Sequence, residues 1–272
     1  MIGKHTKARG SLPSPAAEAS VIIPHYNDTL RLHRCLVALL ANSGIEAAEI
    51  VVVDNGSSES LAHLYTAFPT VRFVEELKPG AAAARNRGVL VTKSPRLLFL
   101  DADCVPDPSW YTNAVHSLKG RDIVGGAISV FDENPAPRTG AQAFEAVFAF
   151  DQKSYIEEKG FSVTANLATW RLVFDRVGPF RAHVPEDLDW CRRATAMGYS
   201  VAYEPYMQLS HPSRADWPAL AKKWRRLTTE AAGLALNRPG GRVKWLCRAV
   251  AVVGSIGRDA KKVLSSPQLA DG

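Results

Sequence analysis

The chain has 272 residues, 46% of them hydrophobic, with 33 Lys+Arg against 27 Asp+Glu and a formal net charge of +6. That length suits one large domain or two small ones, and the apolar share is ample for the core of a globular enzyme. Cys35, Cys104, Cys191 and Cys247 are scattered with no C-x-x-C pair, which speaks against a zinc site or a disulfide framework and fits a reducing cytoplasm.

Residues 1–19 carry basic residues and prolines but no apolar h-region, so they read as a disordered tail rather than a secretion signal. A first strand is expected at Ser20 to Pro24 (SVIIP), followed by a helix capped at Asn27 or Asp28, with Leu32, Cys35, Leu36, Leu39 and Leu40 at helical spacing. Glu49 to Val53 (EIVVV) is a second strand, and Asn55-Gly56-Ser57-Ser58 after Asp54 supplies turn residues and a helix cap. Val71 to Val74 is a third strand and Gly80 to Leu90 a helix, its alanines at 81–84 being helix-favouring. Arg96 to Leu100 is the fourth strand, and Ser109 to Leu118 a helix after Asp107-Pro108. This alternation predicts an α/β fold with a mostly parallel sheet and helices on both faces, its loops gathered at the carboxyl ends of the strands.

The fourth strand runs straight into two aspartates, LLFLDADC at 97–104. Alternate side chains of an extended chain share a face, so Asp101 and Asp103 converge where ligands bind in open α/β sheets. Two like charges there call for a cation, and a hard divalent metal suits carboxylates. Asp-x-Asp alone is weak evidence, because Asp also caps turns. An EF-hand is excluded, since its loop would need Gly and Glu where Pro106 and Thr112 stand. A haloacid dehalogenase-type phosphatase also carries Asp-x-Asp, but normally after the first strand of its core. No P-loop occurs, and no G-x-G-x-x-G follows a strand.

Taken together, SVIIPHYND at 20–28, VVVDNGSSES at 51–60, GAAAARNRG at 80–88 and LLFLDADCV at 97–105 resemble the ordered motifs of glycosyltransferase family 2. The resemblance continues through VTANLATWRLVFDRVGPF at 163–180, EDLDWCRRATAMGY at 186–199 and His211. It implies the GT-A fold and a metal-dependent inverting transfer of sugar from a nucleotide-diphosphate sugar to a hydroxyl, in polysaccharide or glycolipid biosynthesis. By the same resemblance Pro24, Tyr26, Asp54 and Arg85 bind the nucleotide, and Asp101 meets ribose or metal. Asp103 holds Mn2+ or Mg2+, with His211 as a further ligand. A base must take the acceptor hydroxyl's proton, and the Glu186-Asp187 pair at a helix start supplies it, with Asp187 preferred. Asp189 and Arg193 read instead as an i,i+4 pair bracing that helix. Asn166 matches the acceptor-side strand, although the flanking glycine is missing there. Asn55 stands where a second acid is common.

The division expected is a tail over 1–19, a catalytic domain over 20–214 and a basic amphipathic helical segment over 215–272. That last segment holds eleven Lys+Arg against four Asp+Glu. Its Trp217, Trp224 and Trp245, interleaved with cations, suit an anionic membrane surface, so a cytoplasmic protein peripheral on the inner face of the cell membrane is expected. The partners implied are the nucleotide-sugar donor and a glycan or lipid-linked acceptor, with no nucleic acid. No stretch approaches the roughly 18 uninterrupted apolar residues of a membrane span. A catalytically silent nucleotide-sugar or glycan-binding protein is the alternative, and the phosphatase ranks third.

Overall fold

The computed structural model describes residues 17–134, 137–236, 240–266 and 269. Residues 1–16 of the expected tail lie outside that description, and Ala19 at its end is already buried in the first strand. The first half runs β1 (Ala19–His25), α1 (Thr29–Leu40), β2 (Ala48–Asp54), α2 (Ala62–Ala67), β3 (Arg72–Glu75), α3 (Ala81–Val91), β4 (Arg96–Leu100), β5 (Val105–Pro106) and α4 (Trp110–Ser117). The second half runs β6 (Ile123–Phe131), α5 (Gly140–Phe148), α6 (Gln152–Glu157), β7 (Asn166–Trp170), α7 (Arg171–Val177), α8 (Glu186–Ala196), β8 (Val201–Pro212), α9 (Trp217–Leu236) and α10 (Gly241–Leu264).

The eight strands form one sheet in the order β3-β2-β1-β4-β7-β6-β8-β5. The neighbours β3, β2, β1 and β4 are parallel, as the alternating pattern predicts. Past β4 the sheet is mixed: β7 is antiparallel to both β4 and β6, and β8 is parallel to β6. From β1 the chain winds outward through β2 and β3, then returns to lay β4 on the other side of β1. Such a reversal opens a crevice beyond the carboxyl ends of the strands.

Helices cover both faces. On one, Val21, Ile23, Val52, Leu98 and Leu100 pack with Leu32, Leu36 and Leu39 of α1 and with Trp110 of α4. On the other, Ile22, Leu97 and Phe99 meet Val89 of α3, Phe174 of α7 and Trp190 of α8. Strands buried on both sides read as continuous apolar runs, which explains why period-2 alternation is missing from them.

Helix α3 lies unusually close to β1, because a Cβ on Gly88 would come within 2.4 Å of Ile22 Cγ2. The helix start expected at Asn55 to Ser58 is displaced to Ala62. Those residues are otherwise engaged: Asp54 Oδ1 accepts from the Ser57 backbone and hydroxyl, and the Asn55 amide bonds elsewhere. Among the described residues no helix is long and apolar enough to cross a membrane.

Candidate functional site

The crevice at the reversal is lined by Pro24, His25 and Tyr26 after β1, Asn55 after β2, Ala81, Ala84 and Arg85 of α3, and Asp101, Ala102 and Asp103 after β4. Its volume is about 240 Å³. Five residues singled out in the sequence, Pro24, Tyr26, Arg85, Asp101 and Asp103, therefore border one cavity. Tyr26 is 64% exposed at its rim. The alanines have a second use, because small side chains on α3 leave this space open.

Arg85 is the hinge of the arrangement. It is 4% exposed, and its guanidinium donates to Asp101 Oδ1 at 2.6 Å and to Glu186 Oε1 at 2.9 Å. Burial alone would lower its pKa, but the carboxylates of Asp101 and Glu186 outweigh it and the net direction is upward. A permanently charged fork between two acids matches guanidinium geometry. It draws the start of α8 against the end of β4, although the two lie far apart in sequence.

Asp187 follows Glu186 in the first turn of α8 and accepts the Leu188 amide at 2.7 Å. Burial and the neighbouring Glu186 charge push its pKa up to about 6, against the pull of the Leu188 amide and Arg85. A carboxylate so raised is a stronger base, closer to the working pH of an enzyme. Asp189 behaves as the i,i+4 spacing predicts, accepting from Arg193 at 2.9 Å, while Arg193 also donates to the Val177 and Pro179 carbonyls.

On the other side of the cavity, Asp103 Oδ2 lies 3.3 Å from His211 Nε2. The second ring nitrogen, Nδ1, sits 2.7 Å from the Pro212 carbonyl, which can only accept, so Nδ1 carries the proton. Nε2 is the ring atom turned towards Asp103. Metal-binding histidines are oriented in this way, one ring nitrogen tied to a carbonyl and the other left to ligate, so the donor set fits a divalent cation with its remaining positions open to phosphate oxygens and water. Asp101 Oδ1 accepts from Arg85. Among the described residues no cluster of three His, Cys, Asp or Glu is disposed to hold a metal.

Asp54 does not border the cavity but adjoins it; one oxygen is held by Ser57. Its neighbour Asn55 explains the missing second acid. The amide nitrogen donates to the Glu76 and Lys78 carbonyls at 2.8 Å each, and the oxygen accepts the Gly80 amide at 2.7 Å. A carboxylate would face two carbonyl oxygens without a proton to offer, so an amide is required.

Asn166 is brought to the sheet interior rather than to the crevice. It is fully buried, accepts from Trp110 Nε1 at 2.8 Å and donates to the Ala127 and Met207 carbonyls at 2.9 Å. Every polar atom of the side chain is thus spent on joining β7 to β6, β8 and α4.

Sequence reasoning missed His25 and a second cavity. His25 is 2% exposed, neither ring nitrogen has a hydrogen-bond partner among the described residues, and burial lowers its pKa, favouring the neutral ring. The second cavity, about 360 Å³, shares Asp103 with the first and is also lined by His211, Arg31, Glu133, Gln142 and Arg214. Nothing in periodicity marks these residues, because the cavity is assembled from four distant segments.

The comparisons with known proteins accord with this geometry. Residues 20–183 match the model of glycosyl transferase family 2. Glycosyltransferase AglE of Haloferax volcanii is 32% identical over 216 residues, 76% of this chain and 70% of that protein. The uncharacterized glycosyltransferase YibD of Escherichia coli is 34% identical over 96 residues, 34% of this chain and 28% of its own. Among solved structures, mannosyltransferase PcManGT from Pyrobaculum calidifontis, in complex with GDP-Man and Mn2+, is similar with a TM-score of 0.63 at 18% identity. That likeness covers 94% of this chain and 83% of the other, and speaks for a shared GT-A fold. These findings set the phosphatase reading aside, and the chain belongs to glycosyl transferase family 2 as a glycosyltransferase.

Proposed function

We propose that this glycosyltransferase moves a sugar from a nucleoside-diphosphate donor to a hydroxyl of a glycan or lipid-linked acceptor, with inversion at the anomeric carbon, in polysaccharide or glycolipid biosynthesis. The observation that carries the reading is Arg85, which lines the cavity and pairs Asp101 with Glu186, so joining the Asp-x-Asp motif at the cavity to the Glu186-Asp187 helix behind it.

In this reading Pro24 and Tyr26 wall the base, and the second oxygen of Asp54 accepts from it. Arg85 and Asp101 orient the sugar-nucleotide. Asp187 takes the proton of the acceptor hydroxyl as that oxygen bonds to the anomeric carbon. The bond from that carbon to the diphosphate breaks, and its electron pair leaves with the diphosphate. Asp103 and His211 would hold Mn2+ or Mg2+, which when bound supplies positive charge to the departing group. The Pyrobaculum neighbour's complex with GDP-Man and Mn2+ supports both a nucleoside diphosphate and a divalent cation here. Residues 20–214 form the catalytic unit in this proposal. The basic segment after it serves an acceptor delivered at the inner face of the cell membrane.

A thermal-shift series with UDP, GDP and dTDP, each with and without Mn2+, tests the donor site, because a ligand that binds the native state raises its melting temperature. One diphosphate is expected to stabilise the protein in a metal-dependent way, and Asp103→Ala to abolish the metal-dependent part. Equal shifts in that variant would remove Asp103 from the metal site. Stabilisation without sugar transfer to any glycan acceptor would favour the silent binding protein.

A further inference from the structure

Helix α10 carries large apolar side chains on the side where a helix resting on a soluble body would carry polar ones. Val243, Leu246 and Val250 are each 67% exposed and Val253 68%. Their spacing of three, four and three residues sets them on one face. Trp245, Ser255, Asp259 and Val263, which are partly buried, mark the opposite side, turned towards α9 and α5. Single exposed apolar residues are ordinary, whereas a contiguous stripe signals something that covers it.

The charge around the stripe says what that is. Arg242, Lys244, Arg248, Arg258, Lys261 and Lys262 stand on this helix against Asp259 alone. Arg242, Lys244 and Lys261 have no ion-pair partner among the described residues, and neither do Lys222, Arg225 and Arg226 of α9, which line an open cleft. The tryptophans expected to face lipid do other work. Trp217 and Trp224 pack on Phe144 with ring centroids 6.3 Å away, and Trp245 lies under the Arg248 guanidinium. Trp217 and Trp224 stay 57% and 45% exposed on α9, while the stripe on α10 is aliphatic.

We propose that α10 docks this protein onto an anionic bilayer, its Val243, Leu246, Val250 and Val253 stripe entering the boundary between headgroups and acyl chains while the flanking cations meet lipid phosphates. A helix with an apolar face, a cationic flank and too little overall hydropathy to span lies in the interface plane. Partition falls with salt, because the cationic share of the attraction is screened. The inference deepens the reading of an acceptor delivered at a membrane and rests on it for its purpose.

The test is flotation of the full chain with vesicles of phosphatidylcholine alone and of phosphatidylcholine mixed with phosphatidylglycerol. Binding is expected to the mixed vesicles only and to be lost in Val250→Asp/Val253→Asp, whose positions are exposed enough to leave the fold intact. Arg242→Gln/Lys244→Gln is expected to weaken partition about thirtyfold. Wild-type protein that fails to float, or a double aspartate variant that floats equally well, overturns the proposal. So does a two-chain mass in light scattering that the aspartate variant reduces to one, which would assign the stripe to a second copy. Nucleoside-diphosphate stabilisation measured on the same samples keeps a failure here distinct from a failure of the transferase reading.

Discussion

Asp187 illustrates what a single side chain can disclose that a motif cannot. Its folded pKa of about 6 lies above the 3.8 of an unhindered aspartate. Between those values the native state holds more protons than the unfolded one, so this residue's contribution to stability declines as pH rises through the window and stays lost above it. Asp187→Asn is accordingly expected to be the more stable protein at pH 7.5, by as much as about 3 kcal/mol, since each pH unit between the two values is worth about 1.36 kcal/mol, and to lose that advantage below pH ~4. The base role proposed for it requires the ionised form, so kcat/KM of the native enzyme should fall as pH drops through about 6. Chemical denaturation at the two pH values and a pH–rate profile check the pair; an asparagine variant that is no more stable at neutral pH would contradict the burial argument. The sequence discloses that two adjacent acids begin α8, but not that Arg85 reaches them, since that depends on a contact across 101 positions.

At the scale of elements, the approach of α3 to β1 governs where Arg85 sits. Gly88→Ala would push a methyl to 2.4 Å from Ile22 Cγ2. Ile22 is fully buried, and its branched Cβ cannot turn one methyl aside without moving the other. Alanine gains about 1 kcal/mol in helix propensity, but overpacking costs about 1–3 kcal/mol, so the clash prevails. Net destabilisation of up to roughly 2 kcal/mol in urea titration is expected, together with weaker nucleotide binding as Arg85 withdraws one turn away. An alanine variant of native stability would show that α3 can lift freely. The glycine of GAAAARNRG is visible in the sequence; its packing reason becomes visible only when β1 is laid beneath it. The strands of the first half were legible because each is an apolar run ending in polar turn residues. β6 and β8 were not: Gly125-Gly126 reads as a turn, and Glu204-Pro205 interrupts any strand pattern. Yet a Cβ on Gly126 would meet the Met207 carbonyl at 2.1 Å, so glycine is what lets β6 and β8 approach there.

For the whole molecule, the question is what fastens the C-terminal helix pair to the sheet and its covering helices. Hydropathy foretold helices over this segment but not their attachment, because the anchor is a single acid on α5. Glu145 is 2% exposed and accepts from Lys223 of α9 at 2.7 Å, from the Arg214 backbone at 2.7 Å and from its guanidinium at 2.9 Å. Burial opposes its ionisation, but Lys223 and Arg214 prevail and hold its pKa below the usual carboxylate range. Its stabilising contribution is thus present above the unfolded pKa and lost as pH falls through the lower folded value. Glu145→Ala would leave two cations facing one another at a partly buried seam, a loss of about 3–5 kcal/mol for a broken buried pair. The other contacts that hold α9, the buried Leu220 and Trp217 and Trp224 on Phe144 among them, also lie in the helical layer, so the loss should fall on docking of the pair rather than on the sheet. Limited trypsin digestion is expected to cut at Lys222 to Arg226 much faster in the variant while the portion from β1 to β8 resists. Vesicle binding should persist, because the lipid-facing stripe lies on α10. Transfer to a membrane-borne acceptor should nevertheless fall, since an undocked helix pair no longer holds the cavity at a fixed height above the lipid. Unchanged digestion would mean that aromatic packing alone secures the helices.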